Sequence, residues 1–102
     1  MARFMYIWEF RVAPSSVGQF EFEYGPRGSW VALFRKAPEY IETLLLRDNT
    51  DPLRYVTVDR WESQKAHDLF RSTHLTQYQE IERRCRGYTT TERPLGEFSE
   101  GD

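Results

Sequence analysis

Apolar and polar positions change rhythm six times along the chain, and each change marks an element. From Phe4 to Val12 the rhythm has period two. Phe4, Tyr6, Trp8, Phe10 and Val12 share one face, and Met5, Ile7, Glu9 and Arg11 the other. Successive side chains of a strand point to opposite sides, so this is a strand, covered on both sides at least near its start. Arg54 to Trp61 repeats the pattern without Gly or Pro, with Tyr55, Thr57, Asp59 and Trp61 on one face and Arg54, Val56, Val58 and Arg60 on the other. Apolar residues on both faces predict a strand inside a sheet, and the rest of the chain packs around it.

Between these strands the period lengthens. Ser16-Val17-Gly18-Gln19 matches a capping box, and Val17, Phe20 and Tyr24 then follow one helical stripe. Gly25-Pro26-Arg27-Gly28 interrupts the helix. Ser29 is placed to cap a second short piece, with Trp30, Leu33 and Phe34 on one face, which Pro38 ends. Tyr40 to Arg47 reads as the second strand, and Asp48 to Pro52 as a polar turn. After Trp61, Ser63 caps a long helix expected over Gln64–Cys85, its stripe formed by Ala66, Phe70, His74, Tyr78, Ile81 and Cys85. Ser72-Thr73-His74 marks a bend, and Gly87 a stop. Tyr88–Arg93 is a Thr-rich last strand, which Pro94 ends or confines to an edge. Residues 99–102 are expected to fray.

Strand, helix, strand, strand, helix, strand is the β-α-β-β-α-β order of ferredoxin-like α+β folds, a four-stranded antiparallel sheet with its helices on one face. In that arrangement the second strand lies at an edge. Ile41, Leu44, Leu45 and Leu46 are too apolar for a bare edge, and the sheet face away from the helices is apolar as well. Two sheets packed face to face resolve both, so the expected state is a homodimer with a barrel-like core.

The 102 residues make one domain, with an ordered core over about 4–98. The formal net charge of -2 argues against nucleic acid as a partner. One cysteine, Cys85, allows no internal disulfide and fits a reducing compartment. No stretch approaches the roughly 20 apolar residues of a membrane span, and Glu9 and Arg11 interrupt the first apolar run too early for a leader. The expectation is a cytoplasmic protein that does not enter membranes.

Aromatic residues make up 16% of the chain, more than a core this small requires. Trp8, Phe10, Trp30, Phe34 and Phe70, with Tyr24 and Tyr78, are therefore expected to wall a pocket for a small hydrophobic or aromatic ligand, although any one of them alone fills core. His74, in register with Phe70 and Tyr78, is the candidate base toward a phenolic substrate, with Tyr24 or Tyr78 orienting. The competing reading is a core histidine bonded to backbone at the helix bend, and it has the better prior. His67 is expected to point toward solvent. Asp59 ranks low as a catalytic carboxylate, Arg27 is a candidate gate residue, and Cys85 reads as a small apolar residue. Two His seven positions apart give no metal-ligand pattern, so neither metal nor cofactor is expected.

Glu23-Tyr24-Gly25-Pro26-Arg27-Gly28-Ser29-Trp30, Leu33-Phe34, Tyr40, Thr43-Leu44-Leu45, Arg54-Tyr55 and Asp59-Arg60-Trp61-Glu62-Ser63 together resemble the antibiotic biosynthesis monooxygenase (ABM) family, over roughly Phe4 to Phe98. The resemblance implies a dimeric α+β barrel with a pocket between sheet and helices in each subunit. It also implies chemistry drawn from that family's range: cofactor-independent oxygenation of aromatic polyketides, quinol-type oxygenation or haem breakdown. The haem-degrading branch uses Asn, Trp and His where this chain has Phe10, Phe70 and Glu80, so that activity is disfavoured. Two functions stay open: an oxygenase acting on an electron-rich aromatic, and a protein that holds a hydrophobic ligand without turnover. Titratable side chains converging inside the cavity would favour the first.

Overall fold

The computed structural model describes residues 3–101. Strand β1 (Phe4–Val12) leads through a 3-10 turn, Pro14–Ser16, into α1 (Val17–Tyr24) and α2 (Ser29–Phe34). β2 (Tyr40–Arg47) and β3 (Arg54–Trp61) follow, then α3 (Gln64–Thr73), α4 (Leu75–Cys85) and β4 (Thr89–Ser99). The strands form one antiparallel sheet in the order β2-β3-β1-β4. This is the ferredoxin-like α+β arrangement, with β1 and β3 central. Phe4, Phe10, Val12, Tyr55 and Trp61 on one sheet face meet Phe20, Leu33, Phe34, Phe70, Tyr78 and Ile81 of the helices, all buried.

Local chemistry explains most boundaries, with four differences from the sequence reading. Ser63 caps α3, its Oγ accepting from the Ala66 N–H at 3.1 Å. Ser16 makes no cap bond, because Pro14 begins a 3-10 turn that carries it past the cap geometry. Ser29 is the first residue of α2, and its hydroxyl donates to Glu23 at 3.0 Å. The expected long helix is two helices broken at His74, where the Ser72 and Thr73 hydroxyls both bond back to the Leu69 carbonyl. Helix α4 ends at Cys85, with Gly87 inside the following 3-10 turn.

Three bulges interrupt the regular pairing of the sheet, one in β2 and two in β4, where Thr90 is extra between Thr89 and Thr91. Tyr40 pairs with Trp61 but Glu42 with Arg60, so Ile41 is an extra residue in β2. In β4, Pro94 pairs with Trp8 and Gly96 with Ile7, so Leu95 is extra there. Gly96 sits at φ 151°, a conformation that suits glycine. The bulge lets β4 run on past Pro94 to Ser99, which is possible because β4 is an edge strand. The tail is tied down rather than frayed: Glu100 N–H donates to the Arg3 carbonyl, and its carboxylate meets Arg60 at 2.5 Å. Asp102 lies outside the described residues.

The sheet face away from the helices carries Met5, Ile7, Val56, Val58, Leu44, Leu46 and Phe98. Leu46 and Phe98 are each 48% exposed. Ion pairs rim this apolar centre. Glu9 meets Arg54 and Arg93, each at 2.6 Å, and Arg60 meets Glu42 at 2.6 Å. The two arginines hold the Glu9 carboxyl below the usual range, Arg93 most.

Candidate active site

A cavity of about 500 Å³ opens between the helices and the sheet. Its size is ordinary for a small-molecule site. Trp8, Phe10, Tyr24, Trp30, Phe34 and Tyr78, six of the seven aromatic residues named from the sequence, line it. The remaining expected wall residue, Phe70, does not. It packs behind the wall between Trp61 and His74, with ring centroids 5.3 and 4.1 Å away.

Nor does the structure bring His74 to the cavity. At the break between α3 and α4 it stacks on Phe70, and its Nδ1 faces the Phe70 carbonyl oxygen at 3.1 Å. This is the packing expected of a core histidine at a helix bend. The other histidine takes the inward place. His67 is 6% exposed, packs against Phe4, Tyr6 and Trp61, and lines the cavity. The buried stripe of α3 runs His67–Phe70, one position away from the expected Ala66–Phe70 line. Asp68 bonds His67 Nδ1 at 2.9 Å from the exposed side. Arg27 is exposed on the α1–α2 turn and lines no part of the cavity.

Of the three carboxylates that line the cavity, Glu82 and Glu92 are exposed and Asp59 is the most enclosed. It stands mid-strand on β3, beside Tyr6 of β1 and Thr43 of β2. The Thr43 hydroxyl donates to Oδ1 at 2.7 Å, and the Tyr40 hydroxyl lies 2.7 Å from Thr43 Oγ1. Among the described residues no hydrogen bond reaches Oδ2. Burial pushes the Asp59 carboxyl up to about 6, against the opposing Thr43 hydrogen bond. Tyr78 sits across the cavity on α4. Its hydroxyl is buried with no hydrogen-bond partner among the described residues, and burial together with the Asp59 charge raises its pKa. Arg71 lies over the Tyr78 ring, 5.7 Å from the centroid, at the cavity rim with Glu82, Arg86 and Glu92.

A second cluster braces the wall. Glu23, buried at the end of α1, accepts from the Ser29 hydroxyl and from Arg84 Nε, both at 3.0 Å. Cys85 Sγ approaches the same carboxylate at 3.7 Å. Burial first, and then Glu23, push the thiol up to about 11, so it remains a protonated packing residue. Gly28 makes the turn possible, since a Cβ there would stand 2.1 Å from the Glu23 carbonyl oxygen.

The fold and cavity define a ferredoxin-like α+β domain with a cavity between sheet and helices. Residues 3–84 match the family model for antibiotic biosynthesis monooxygenase, and the chain belongs to that family. Among solved structures, SnoaB from Streptomyces nogalater, a cofactor-independent oxygenase, is similar with a TM-score of 0.69 at 18% identity, covering 100% of this chain and 96% of that one. A Pseudomonas aeruginosa protein gives 0.72 at 14%, covering 100% and 97%. A conserved protein from Methanosarcina mazei Go1 gives 0.74 at 11%, covering 99% and 95%. At these identities the likeness is one of fold. Comparison of the sequence with curated proteins gives no match. No helix among the described residues is long and apolar enough to cross a membrane.

Proposed function

We propose that the protein is a monooxygenase that uses dioxygen directly on a small, electron-rich aromatic substrate of the polyketide or quinol type, with Asp59 as the base. The observation that carries this reading is the Asp59 carboxylate beside Tyr6 and Thr43 in the cavity wall, one oxygen bonded to Thr43 and the other without a partner among the described residues. A wall of aromatics alone would favour binding without turnover. Asp59, His67 and Tyr78 converging on one cavity favours chemistry.

The step is a proton transfer followed by an electron transfer. Asp59 Oδ2 takes a proton from an activated CH₂ or phenolic group of the substrate. The resulting anion gives one electron to dioxygen, and the two radicals combine to a peroxide. Loss of water from the peroxide leaves a carbonyl carbon. One oxygen atom stays in the product, and the other leaves as water with two hydrogens of the substrate, the proton that Asp59 returns to the peroxide and the hydrogen on the reacting carbon. The aromatic walls hold the ring system flat and exclude water, and the Tyr78 hydroxyl offers a hydrogen bond to a substrate oxygen. A carboxyl that titrates near 6 is ionised at neutral pH yet more basic than an exposed aspartate.

Oxygen uptake with a panel of hydroxylated tricyclic anthrones and hydroquinones tests the reading. Uptake lost in Asp59→Asn supports it. Ligand binding without uptake for every member of the panel favours the carrier.

The apolar sheet face with its charged rim supports pairing of two copies through that face, with the rim arginines and glutamates fixing their register.

A further inference from the structure

Asp59 is held from one side only, and the groups that hold it form a line. We propose that Tyr40 and Thr43 are positioning residues for Asp59, a one-directional hydrogen-bond chain that fixes Oδ1 in the sheet and leaves Oδ2 as the oxygen offered to a ligand. The inference deepens the reading of Asp59 as the base and rests on it.

Direction follows from counting hydrogens. Thr43 has a single hydroxyl hydrogen, and it is committed to Asp59 Oδ1 at 2.7 Å. The 2.7 Å contact between Tyr40 and Thr43 therefore has Tyr40 as donor. Two neutral donors in series point at one carboxylate oxygen, and each strengthens the other. Such a chain stabilises the ionised carboxylate and opposes the burial around it. It also fixes the rotation of the carboxyl group about its last bond, since only Oδ1 has a partner among the described residues.

The backbone has a device that makes the chain possible. Strict alternation along β2 would put Tyr40 and Thr43 on opposite faces of the sheet. Thr43 pairs directly with Asp59 in the regular register, and the extra residue Ile41 brings Tyr40 to the same side of the sheet. The Tyr40 ring is fixed in turn, 5.4 Å from Trp61 and 5.5 Å from Phe34 between ring centroids. Tyr40 does not line the cavity, whereas Thr43 and Asp59 do, so Tyr40 acts through Thr43 and not on a ligand.

Other groups face Asp59 and must be held constant in any titration. They are Tyr6 on β1, His67 and Arg71 on α3, and Tyr78 on α4, with Glu82 and Glu92 at the rim. None of them hydrogen-bonds to Asp59 among the described residues, so removing the chain isolates its effect.

The test is carboxyl ¹³C NMR of Asp59 in the full chain, without substrate. The Asp59 midpoint is expected to rise by about one pH unit in Thr43→Val, where a hydrogen bond to the charged form is lost. In Tyr40→Phe it should rise less, and in the double variant no further than in Thr43→Val alone. Thr43→Ser restores the hydroxyl and should return the midpoint to its original value. An unchanged midpoint in Thr43→Val overturns the proposal, as does a Tyr40→Phe shift that persists undiminished without the Thr43 hydroxyl. If Thr43→Val fails to fold, Tyr40→Phe with Thr43→Ser decides on the same terms: no shift in Tyr40→Phe overturns the chain. Because the readout needs no turnover, an Asp59→Asn protein that still consumes oxygen would remove the base role without touching this result.

Discussion

His74 stacks on Phe70 with ring centroids 4.1 Å apart, and its Nδ1 sits 3.1 Å from the carbonyl oxygen of that same residue. Both contacts belong to the joint between α3 and α4, and neither faces the cavity. His74→Ala is therefore expected to destabilise the fold by about 1–2 kcal/mol, through lost packing and a freed backbone carbonyl. Ligand affinity and oxygen uptake should stay within about twofold of the parent. Thermal melts beside uptake assays check this, and a loss of turnover far beyond the loss of folded protein would return His74 to the chemistry.

Asp59→Asn should separate activity from stability. Asparagine keeps an acceptor for Thr43 but cannot take a proton, so oxygen uptake should fall at least about 100-fold. The parent's rate should rise with pH through about 6, as the carboxyl ionises. The stability sign is opposite to that of a surface carboxylate. The folded pKa lies above the unfolded one, so between about pH 4 and 6 the unfolded chain ionises first, and stability falls as pH rises. The variant should therefore be the more stable form at pH 7, by on the order of 2–3 kcal/mol, and should match the parent near pH 4. Urea unfolding at the two pH values provides the check.

Gly28→Ala is expected to damage the wall from behind. The added Cβ would meet the Glu23 and Phe22 carbonyl oxygens at 2.1 and 2.2 Å, and both are backbone atoms that cannot swing aside. A cost above about 3 kcal/mol is expected. The α1–α2 turn would open, releasing Ser29 and Arg84 from Glu23 and exposing Cys85. Labelling of the thiol by a maleimide, very slow in the parent, should accelerate sharply at temperatures where most of the chain is still folded.

Pairing through the apolar sheet face predicts that Leu44→Glu or Val58→Lys yields a monomer while leaving the helix-side core unchanged. Sedimentation equilibrium at micromolar concentration distinguishes the outcomes, with the parent as a dimer. A parent that sediments as a monomer would defeat the pairing proposal. Acidification should weaken the pair as well, because the Glu9 carboxylate that Arg93 and Arg54 hold ionised must then take a proton.

The strands and helices were legible because their patterns are local. Period two over Phe4–Val12 and Arg54–Trp61, and the capping residue Ser63, each predict their own element without reference to the rest of the chain. Most of the aromatic wall was legible too, since Trp8 and Phe10 lie on the strand face that meets Tyr24 and Trp30. The polar part of the site was not legible for equally physical reasons. Asp59 gains its character from Thr43, sixteen residues away on the neighbouring strand, a cross-strand pairing that the pattern within either strand does not announce. The choice between His67 and His74 turned on phase. An unbroken helix drawn through Phe70 and Tyr78 favours His74, whereas the break at His74 itself lets α3 turn His67 inward. Pro94 misled in the other direction, because a Leu95 bulge at a sheet edge carries the strand through it.

The extra residue in β2 also bears on how such a domain changes over generations. Removing Ile41 would leave Leu44, Leu45 and Leu46 of β2, the helices and the core face of β1 as they are, and the fold is expected to survive. It would turn Tyr40 to the opposite side of the sheet and leave Thr43 and Asp59 without it. One codon thus separates a scaffold whose carboxylate is held by two hydroxyls in series from one that keeps the Thr43 hydroxyl alone. Insertion or deletion of one residue at this sheet edge, where such changes interfere least with folding, is then enough to add or remove the Tyr40 donor.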